Sequence, residues 1–439
     1  MNLWCSECAL YARQNAPEDI YNHREAETPG LAAPFSVRKA QAGGKTLIRR
    51  TLMQRNRELA DFEVDPATGE ARVIDASEAG EELLVSTEPT QQSRDRALTG
   101  FLKTRAISRM REDRENILAA VDAKSPVDLV LWGHGLSLSD QYWYRAPGST
   151  ERWEDVNFFD NEWDPGFGAA VLAGDYDRLA SCSPDVPDTT TCGHAVKTWE
   201  RSDEGILLIK VSERYEGAEL MGIKLASDLC AALFDEGCYV PVSAVERYGR
   251  PCSASPLMLA SDEELADGRR LSAMAGIQGE RIEGCVTAEL CDARIRAYAD
   301  IGIADASAHV ARMACCSCLS LLADFHEGNF GAIHKVDSNV WRPAPIFDYD
   351  GSFGFPFSRP LATYCSNPFL AELLCAHQFS YLSSSWDWSW YDPRALDGFE
   401  DRIVEAYAAY RSLPPNFTEI VARLFRIQRN YVDEVASAG

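Results

Sequence analysis

Two short segments in the second half of the chain, 321–331 and 344–354, limit its fold more than any other feature of the 439 residues. Apolar residues at helical spacing lead into the first segment and predict a helix that ends near Asp324, with Asn329 five residues further on. The run Pro-Ile-Phe then leads to Asp348 in the manner of a buried strand. The pattern therefore predicts a helix, a polar loop and a strand that carry two carboxylates and one amide.

The order and spacing of these three residues suit phosphoryl transfer. That reaction needs an acidic group that orients the acceptor hydroxyl and accepts its proton, and oxygen ligands that hold Mg²⁺ on the phosphates. Asp324 would fill the first role, and Asn329 and Asp348 would fill the second. Taken singly, each piece is more simply a turn-forming Asp or a loop Asn. The catalytic interpretation therefore depends on a further residue, a lysine.

That lysine, Lys210, lies near the end of the otherwise apolar run Gly205–Val211, and a helical pattern over 218–234 follows. A buried ammonium is costly unless an anion lies beside it, so we expect Lys210 to have an anionic partner. Glu219 on the following helix is the first candidate, and the phosphates of ATP are the second. Two other glutamates are substitutes: Glu213 and Glu216. A lysine that only extends into solvent at the strand end is the simpler alternative.

Patterning along the rest of the chain predicts an α+β fold. Alternating residues around the turn Asp65–Gly69 predict two strands, 92–122 has helical spacing, and the apolar run Val127–Trp132 favours a buried strand. Residues 172–200 are rich in Ser, Thr, Pro and Asp, which is typical of a loop. From about Asp262 the pattern is mainly helical.

Charge and composition exclude some classes of function. The net charge of −24 repels a polyphosphate backbone, so we expect no direct binding of nucleic acid. The N-terminal residues lack a basic region followed by an apolar run, and no apolar stretch approaches a membrane span. We therefore expect a cytoplasmic protein without a membrane partner, with its 14 cysteines reduced. The pair Cys5 and Cys8 lacks the second pair of ligands that a zinc site needs.

The segment Asp324-Phe-His-Glu-Gly-Asn-Phe-Gly resembles the Asp-x-His-x-x-Asn-Phe catalytic loop of HipA-type serine/threonine kinases. Asp348 resembles the metal-binding Asp of that family. Many loops of the family have Lys before the metal-binding Asn, whereas this chain has Gly328. His326 is expected to supply part of the missing positive charge.

Other stretches carry the resemblance further towards the N-terminus. Thr190–Lys197 is similar to the loop that covers the phosphates in HipA-type kinases, with Gly193 and Lys197 at matching positions. Two stretches resemble motifs of an uncharacterised HipA-like branch: Leu136–Trp143 and Val156–Phe159. The resemblance covers residues 95–355 well and the first hundred residues poorly.

The resemblance implies an ATP- and Mg²⁺-dependent kinase with a bilobal protein-kinase-like fold. It implies an N-terminal arm and a small β/α subdomain over 1–120, an N-lobe-like region with the phosphate loop over 121–255, and a helical C-lobe over 256–439. The resemblance also implies that the substrates are proteins phosphorylated on Ser or Thr, and that a small antitoxin-like protein is a partner. The alternatives are a small-molecule or lipid kinase of the same fold, and a pseudokinase or nucleotide-binding scaffold in a toxin–antitoxin or phage-defence complex.

Within that resemblance each site residue has an expected role. Lys210 would bind the α- and β-phosphates, with Glu219 as its partner. The phosphate loop would cover the nucleotide through four residues: Thr190, Thr191, Gly193 and Lys197. Asp324 and His326 would be catalytic, and Asn329 and Asp348 would hold Mg²⁺.

The phosphate loop is also a candidate for regulation. Its segment Ser183–Gly193 has few apolar residues, so we expect a mobile loop. Thr190 aligns with the Ser that HipA-type kinases phosphorylate on themselves, and a phosphate there, beside Asp185 and Asp188, would repel the ATP phosphates. The alternative is a Thr-rich phosphate cradle that is never modified.

Overall fold

The structure, a computed structural model, describes residues 47–84, 90–183, 185–203, 205–275, 287–322, 326–355 and 360–439. Two sequence features lie outside the described residues: the Cys5 and Cys8 pair, and Asp324.

The described chain begins with a four-stranded antiparallel sheet. Its strands are β1 (Ile48–Gln54), β2 (Arg57–Val64), β3 (Ala71–Ala76) and β4 (Tyr142–Arg145), in the order β3-β2-β1-β4. The predicted turn is confirmed, because the N–H of Gly69 donates to the carbonyl of Asp65 at 2.8 Å between β2 and β3. The helices α1 (Glu78–Leu84) and α2 (Gln91–Arg105) bury their apolar residues against this sheet.

Two helices differ from the sequence prediction in this region. The predicted helix over 92–122 is two helices, α2 and α3 (Arg114–Ala120), and the buried ion pair of Arg111 with Asp113 at 2.6 Å lies between them. The predicted strand Val127–Trp132 is wrong, since these residues belong to α4 (Pro126–Trp132). The hydroxyl of Ser125 caps α4 by accepting from the N–H of Asp128, and proline occupies the first turn. A short apolar run does not distinguish a strand from a buried helix, whereas this cap does.

A second antiparallel sheet follows two short helices, α5 (Trp153–Val156) and α6 (Pro165–Ala173). Its strands are β5 (Lys197–Ser202), β6 (Gly205–Val211), β7 (Ser243–Arg247) and β8 (Arg250–Pro256), in the order β5-β6-β8-β7. The helix α7 (Ala218–Leu233) connects β6 to β7. The predicted strand over 205–211 and the predicted helix that follows it are confirmed.

The third sheet includes the strand that directly follows the catalytic-loop segment. It is antiparallel, with strands β9 (Glu263–Asp267), β10 (Gly331–Lys335) and β11 (Val340–Pro343) in the order β11-β10-β9. The remaining helices are α8 (Gly268–Met274), α9 (Ala288–Asp300), α10 (Ala306–Leu319), α11 (Leu361–Ser366), α12 (Pro368–Gln378), α13 (Phe399–Tyr407) and α14 (Phe417–Ala438). Four 3₁₀ helices complete the described elements: Tyr176–Ser181, Pro187–Thr190, Arg214–Gly217 and Pro393–Leu396.

The largest hydrophobic core lies among the helices of the C-terminal half. Leu225 of α7, Tyr298 of α9, Val310 of α10 and Phe425 of α14 are all buried in it. Smaller cores lie under the sheets of the N-terminal half. The α+β class is therefore confirmed, with antiparallel sheets in the N-terminal part and helices in the C-terminal part. The domain limits 1–120, 121–255 and 256–439 stay predictions.

Among the helices of the described ranges, none combines the length and the apolar character that crossing a membrane requires.

Candidate functional site

Two of the predicted site residues face each other across β5 and β6. Lys197 and Lys210 are direct partners in the register of this antiparallel pair, so their side chains lie on the same face of the sheet. Both lysines are buried, with 4% and 9% of their surface exposed. Two neighbouring buried ammonium groups require anions close by.

Those anions are the carboxylates of Asp348 and Asp350. The Lys210 Nζ donates to Asp348 Oδ1 at 2.7 Å and to Asp350 Oδ2 at 3.3 Å. The expected partner Glu219 is bound instead by Arg214, and the substitute Glu213 is bound by Arg250 at 2.8 Å. The strand lysine therefore has an acidic partner, as predicted, but the partner is the predicted metal-binding Asp and not the helix Glu.

Burial and mutual attraction set the protonation of this cluster. Burial alone would lower the pKa of Lys210, but the charges of Asp348 and Asp350 raise it above its ordinary value. Burial would raise the pKa of Asp348, yet the ammonium of Lys210 holds it below the ordinary value. Burial and the charge of Asp348 raise the pKa of Asp350, against the attraction of Lys210. The Lys210–Asp348 pair is therefore fully charged at neutral pH.

Lys197 behaves differently from its neighbour. Burial, followed by repulsion from Lys210, lowers the pKa of Lys197 to about 8. Its Nζ donates to the carbonyl of Cys192 at 2.8 Å. Lys197 is thus a cation that can lose its proton near physiological pH.

The backbone holds Asp348 in a strained position. Its φ of 62° lies in the left-handed region, which costs roughly 1–3 kcal/mol for such a residue and is typical of functional sites. The preceding Ile346 is fixed by two backbone hydrogen bonds, from its N–H to Cys238 and to its carbonyl from Val240, both 2.8 Å. The following Tyr349 is buried, and its hydroxyl donates to the carbonyl of Ile346 at 3.0 Å. An isolated bridge between Ile346 and Tyr239, in place of the predicted strand, and the buried Tyr349 therefore maintain the conformation at Asp348.

The described part of the catalytic-loop segment lies beside the run that leads to Asp348. Asn329 lines a small cavity together with Phe330, Ile346 and Phe347. The N–H of Asn329 donates to the carbonyl of His326 at 2.9 Å, which closes a tight turn. The structure thus places Asn329 and His326 in one loop next to this run. The roles of Asp324, His326 and Asn329 stay predictions.

The first part of the expected mobile segment is packed, since Val186–Thr190 are buried, whereas Cys192 and Gly193 at its end are exposed. Thr190 is buried within a 3₁₀ helix, and its Oγ1 donates to the carbonyl of Leu136 at 2.7 Å. The Oγ1 of Thr191 donates to Pro187 at 2.8 Å and accepts from the Trp199 indole at 2.9 Å. Because backbone carbonyls accept from their hydroxyls, Thr189 and Thr190 are buried without an unpaired hydroxyl. Self-phosphorylation of Thr190 stays a prediction, and it requires this hydroxyl to leave Leu136.

The end of the loop rests on Lys197. Gly193 has a φ of +109°, and a Cβ at this position would lie 2.1 Å from the Lys197 Nζ. Only glycine fits both the backbone conformation and this close approach. The structure therefore brings the predicted residues Gly193 and Lys197 into contact, directly beside Lys210.

Sequence reasoning missed two charged groups of this region, Asp350 and His134, and it missed the burial of a third, Asp188. Asp350 could have been found from its spacing, since it lies two residues beyond Asp348. Asp188 is buried in the phosphate loop, where burial raises its pKa to about 6 against the effects of Thr198 and Arg111. His134 holds Asp185 through its Nδ1 at 2.7 Å, and this hydrogen bond raises the pKa of His134. No sequence signal joins His134 to that loop.

The donor set fits Mg²⁺ that is held partly by a nucleotide. Within the described ranges, no cluster of three or more His, Cys, Asp and Glu side chains could hold a metal by itself. The carboxylates of Asp348 and Asp350 and the amide of Asn329 are oxygen donors, which Mg²⁺ prefers, and phosphates and water commonly supply its other ligands. The residues present therefore fit a magnesium–nucleotide complex better than a metal bound by the protein alone.

Known proteins resemble this chain in structure, but none was found that matches it in sequence. No family model and no curated protein matches the chain. The structure is similar to the crystal structure of the proinflammatory kinase CtkA of Helicobacter pylori, at 13% identity and a TM-score of 0.42, over 55% of this chain and 93% of that chain. It is also similar to HipA of the Shewanella oneidensis MR-1 toxin–antitoxin system, solved with HipB and operator DNA, at 12% identity and a TM-score of 0.48, over 88% and 99% of the two chains. The second of these structures is a HipA protein, and HipA-type kinases are the family that the sequence motifs resemble.

Proposed function

We propose that the chain is a HipA-like kinase that uses ATP and Mg²⁺ to phosphorylate a Ser or Thr hydroxyl of a protein. One observation carries this proposal: the Lys210 Nζ lies 2.7 Å from Asp348 Oδ1, although the two residues are 138 positions apart in the chain. Phosphoryl transfer needs a lysine for the phosphates and a carboxylate for Mg²⁺ close to each other, and Lys210 and Asp348 meet this requirement.

Nucleotide binding would rearrange the contacts of the cluster. Lys210 would exchange part of its contact with Asp348 and Asp350 for the α- and β-phosphates of ATP. The freed carboxylate of Asp348, with the amide of Asn329, would then bind Mg²⁺ on those phosphates. Lys197 and Gly193 lie on the same side and would cover the phosphates from the loop. The Mg²⁺ that Asp348 and Asn329 would hold supplies positive charge that offsets the charge of the phosphates.

The predicted role of Asp324 completes the chemistry. Its carboxylate would orient the acceptor hydroxyl towards the γ-phosphorus and accept its proton as the new P–O bond forms and the bond to the β-phosphate oxygen breaks. Removal of a positioned base typically costs about 10²–10⁴-fold in rate. We therefore propose Asp324 as the base.

A transfer assay on host lysate tests this proposal. The chain is incubated with lysate and γ-labelled ATP, with Mg²⁺ or with a chelator, and labelled proteins are hydrolysed to identify the phosphorylated residue. We expect label on Ser or Thr of a protein, only with Mg²⁺. Label that appears only in small molecules or lipids would favour the corresponding kinase instead. Nucleotide binding without any transfer would favour a pseudokinase scaffold.

We also propose an antitoxin-like partner protein, because the resemblance to HipA-type kinases implies one. Purification of the tagged chain from its host, followed by mass spectrometry, tests this part. A small protein recovered in equal amount is the expected result, and recovery of the chain alone would count against it.

A further inference from the structure

The loop that carries Asn329 is fastened to the start of α8. The N–H of Gly268 donates to the carbonyl of Glu327 at 2.8 Å and to that of Phe330 at 3.0 Å, on either side of Asn329. A Cβ at Gly268 would lie 2.3 Å from the Phe330 ring, so only glycine allows this approach. The backbone thereby fixes the position of the next residue, Arg269, against the loop.

The side chain of Arg269 reaches over the loop at Gly328. Its Nη2 lies 3.2 Å from the point where a Cβ of Gly328 would be. The side chain is 64% exposed, and among the described residues its Nη1 pairs with Asp267 Oδ2 at 3.8 Å. The guanidinium therefore occupies the space above a loop position that lacks a side chain, and it can accept an anionic ligand.

Arg269 also acts on the end of the phosphate loop. Burial raises the pKa of the Cys192 thiol, and the cations Lys197, Arg105 and Arg269 oppose that rise. The carbonyl of the same Cys192 accepts from Lys197. Arg269 thus lies over the loop of Asn329, and its charge also acts on Cys192 at the end of the phosphate loop.

We propose that Arg269 binds the terminal phosphate of the nucleotide and stabilises it during transfer. This inference rests on the proposed function. The planar guanidinium can donate two hydrogen bonds to phosphate oxygens, which suits the charge spread over the three equatorial oxygens in the transition state. Lys210 would hold the α- and β-phosphates, so Arg269 is the cation that distinguishes ATP from ADP.

The first test compares Arg269→Ala with Arg296→Ala, since Arg296 is an exposed arginine of α9. Both are assayed for transfer from γ-labelled ATP and for binding of Mg²⁺-ATP and Mg²⁺-ADP. We expect Arg269→Ala to lower the transfer rate by about 100-fold or more, as loss of a transition-state donor does. It should weaken ATP binding and leave ADP binding unchanged, whereas Arg296→Ala should match the wild type.

The second test restores a cation from the loop. Arg269→Ala empties the space above residue 328, so the double variant Arg269→Ala/Gly328→Lys should recover much of the transfer rate and the preference for ATP. Equal loss of ATP and ADP binding in Arg269→Ala, or wild-type transfer by that variant, would overturn the inference and leave the proposed function standing. A wild-type chain that neither binds Mg²⁺-ATP nor transfers its phosphate would overturn the proposed function itself.

Discussion

Lys210, Asp348 and Asp350 form an ion cluster whose members are each costly to bury alone. If Lys210 is replaced by Met, two adjacent carboxylates remain without their shared cation. We expect this variant to lose roughly 2–3 kcal/mol of unfolding free energy at pH 7, less than for a fully buried pair because the carboxylates are 25% and 34% exposed. It should also lose ATP binding.

The loss should depend on pH. Without Lys210 the pKa values of both carboxyls rise, so protonation at lower pH removes their repulsion and restores stability. Urea unfolding at pH 7 and pH 5 measures this. The control Lys335→Met removes an exposed lysine paired with Asp262 at 2.9 Å and should cost little at either pH. Equal losses in the two variants would contradict the assigned role of Lys210.

Lys197 gives a second prediction for a single residue. Its pKa of about 8 means that the ammonium is charged below that pH and increasingly neutral above it. A neutral amine attracts phosphate less, so ATP affinity should fall as the pH rises from 7 to 9. Lys197→Arg keeps its charge over this range and should flatten the dependence. Titration calorimetry at pH 7, 8 and 9 measures the affinity, and parallel pH profiles for the two proteins would contradict the prediction.

The position of the phosphate loop against Lys197 depends on Gly193. Gly193→Ala introduces a Cβ 2.1 Å from the Lys197 Nζ, whereas Gly205→Ala meets no atom within 4 Å. Both glycines have positive φ, +109° and +123°, so both variants should lose roughly 1–3 kcal/mol of stability. We expect only Gly193→Ala to weaken ATP binding, by about 10-fold or more, which corresponds to about 1.4 kcal/mol. Identical ATP affinities in the two variants would show that this loop does not cover the phosphates.

Local patterns predicted some elements well and others poorly. The helix after Lys210 follows from periodicity, because its helical spacing continues over 16 residues, whereas the strand with Lys210 was predicted from an apolar run of seven residues. The run Val127–Trp132 is too short and too uniformly apolar to indicate a strand or a helix by itself, and the Ser125 cap stabilises the helix. The burial of Thr190 at the start of the phosphate loop was missed because its hydroxyl donates to the backbone carbonyl of a distant residue, Leu136.

At the scale of the molecule, contacts between distant segments assemble the site. Gly331 of β10 pairs with Asp267 of β9, which places the catalytic-loop segment against α8. Two segments that adjoin the first sheet contact the third sheet: Arg55 pairs with Asp337 at 2.6 Å, and the carbonyl of Ser139 accepts from the N–H of Leu265 at 2.8 Å. The sequence motifs predicted that Lys210 and Asp348 belong to one site, but they paired Lys210 with Glu219, and the contacts that bring Asp348 and Asp350 to Lys210 depend on the complete fold.

The most direct measurement of the central claim is the melting temperature with ATP, in the presence of Mg²⁺ or of a chelator. A ligand that binds only the folded protein raises its melting temperature. If the cluster of Lys210, Asp348 and Asp350 is a magnesium–nucleotide site, ATP should stabilise the wild type more with Mg²⁺ than with the chelator. Asp348→Ala should abolish that increment, and Asp337→Ala, which changes an exposed carboxylate, should keep it. A magnesium increment that persists in Asp348→Ala would contradict the account.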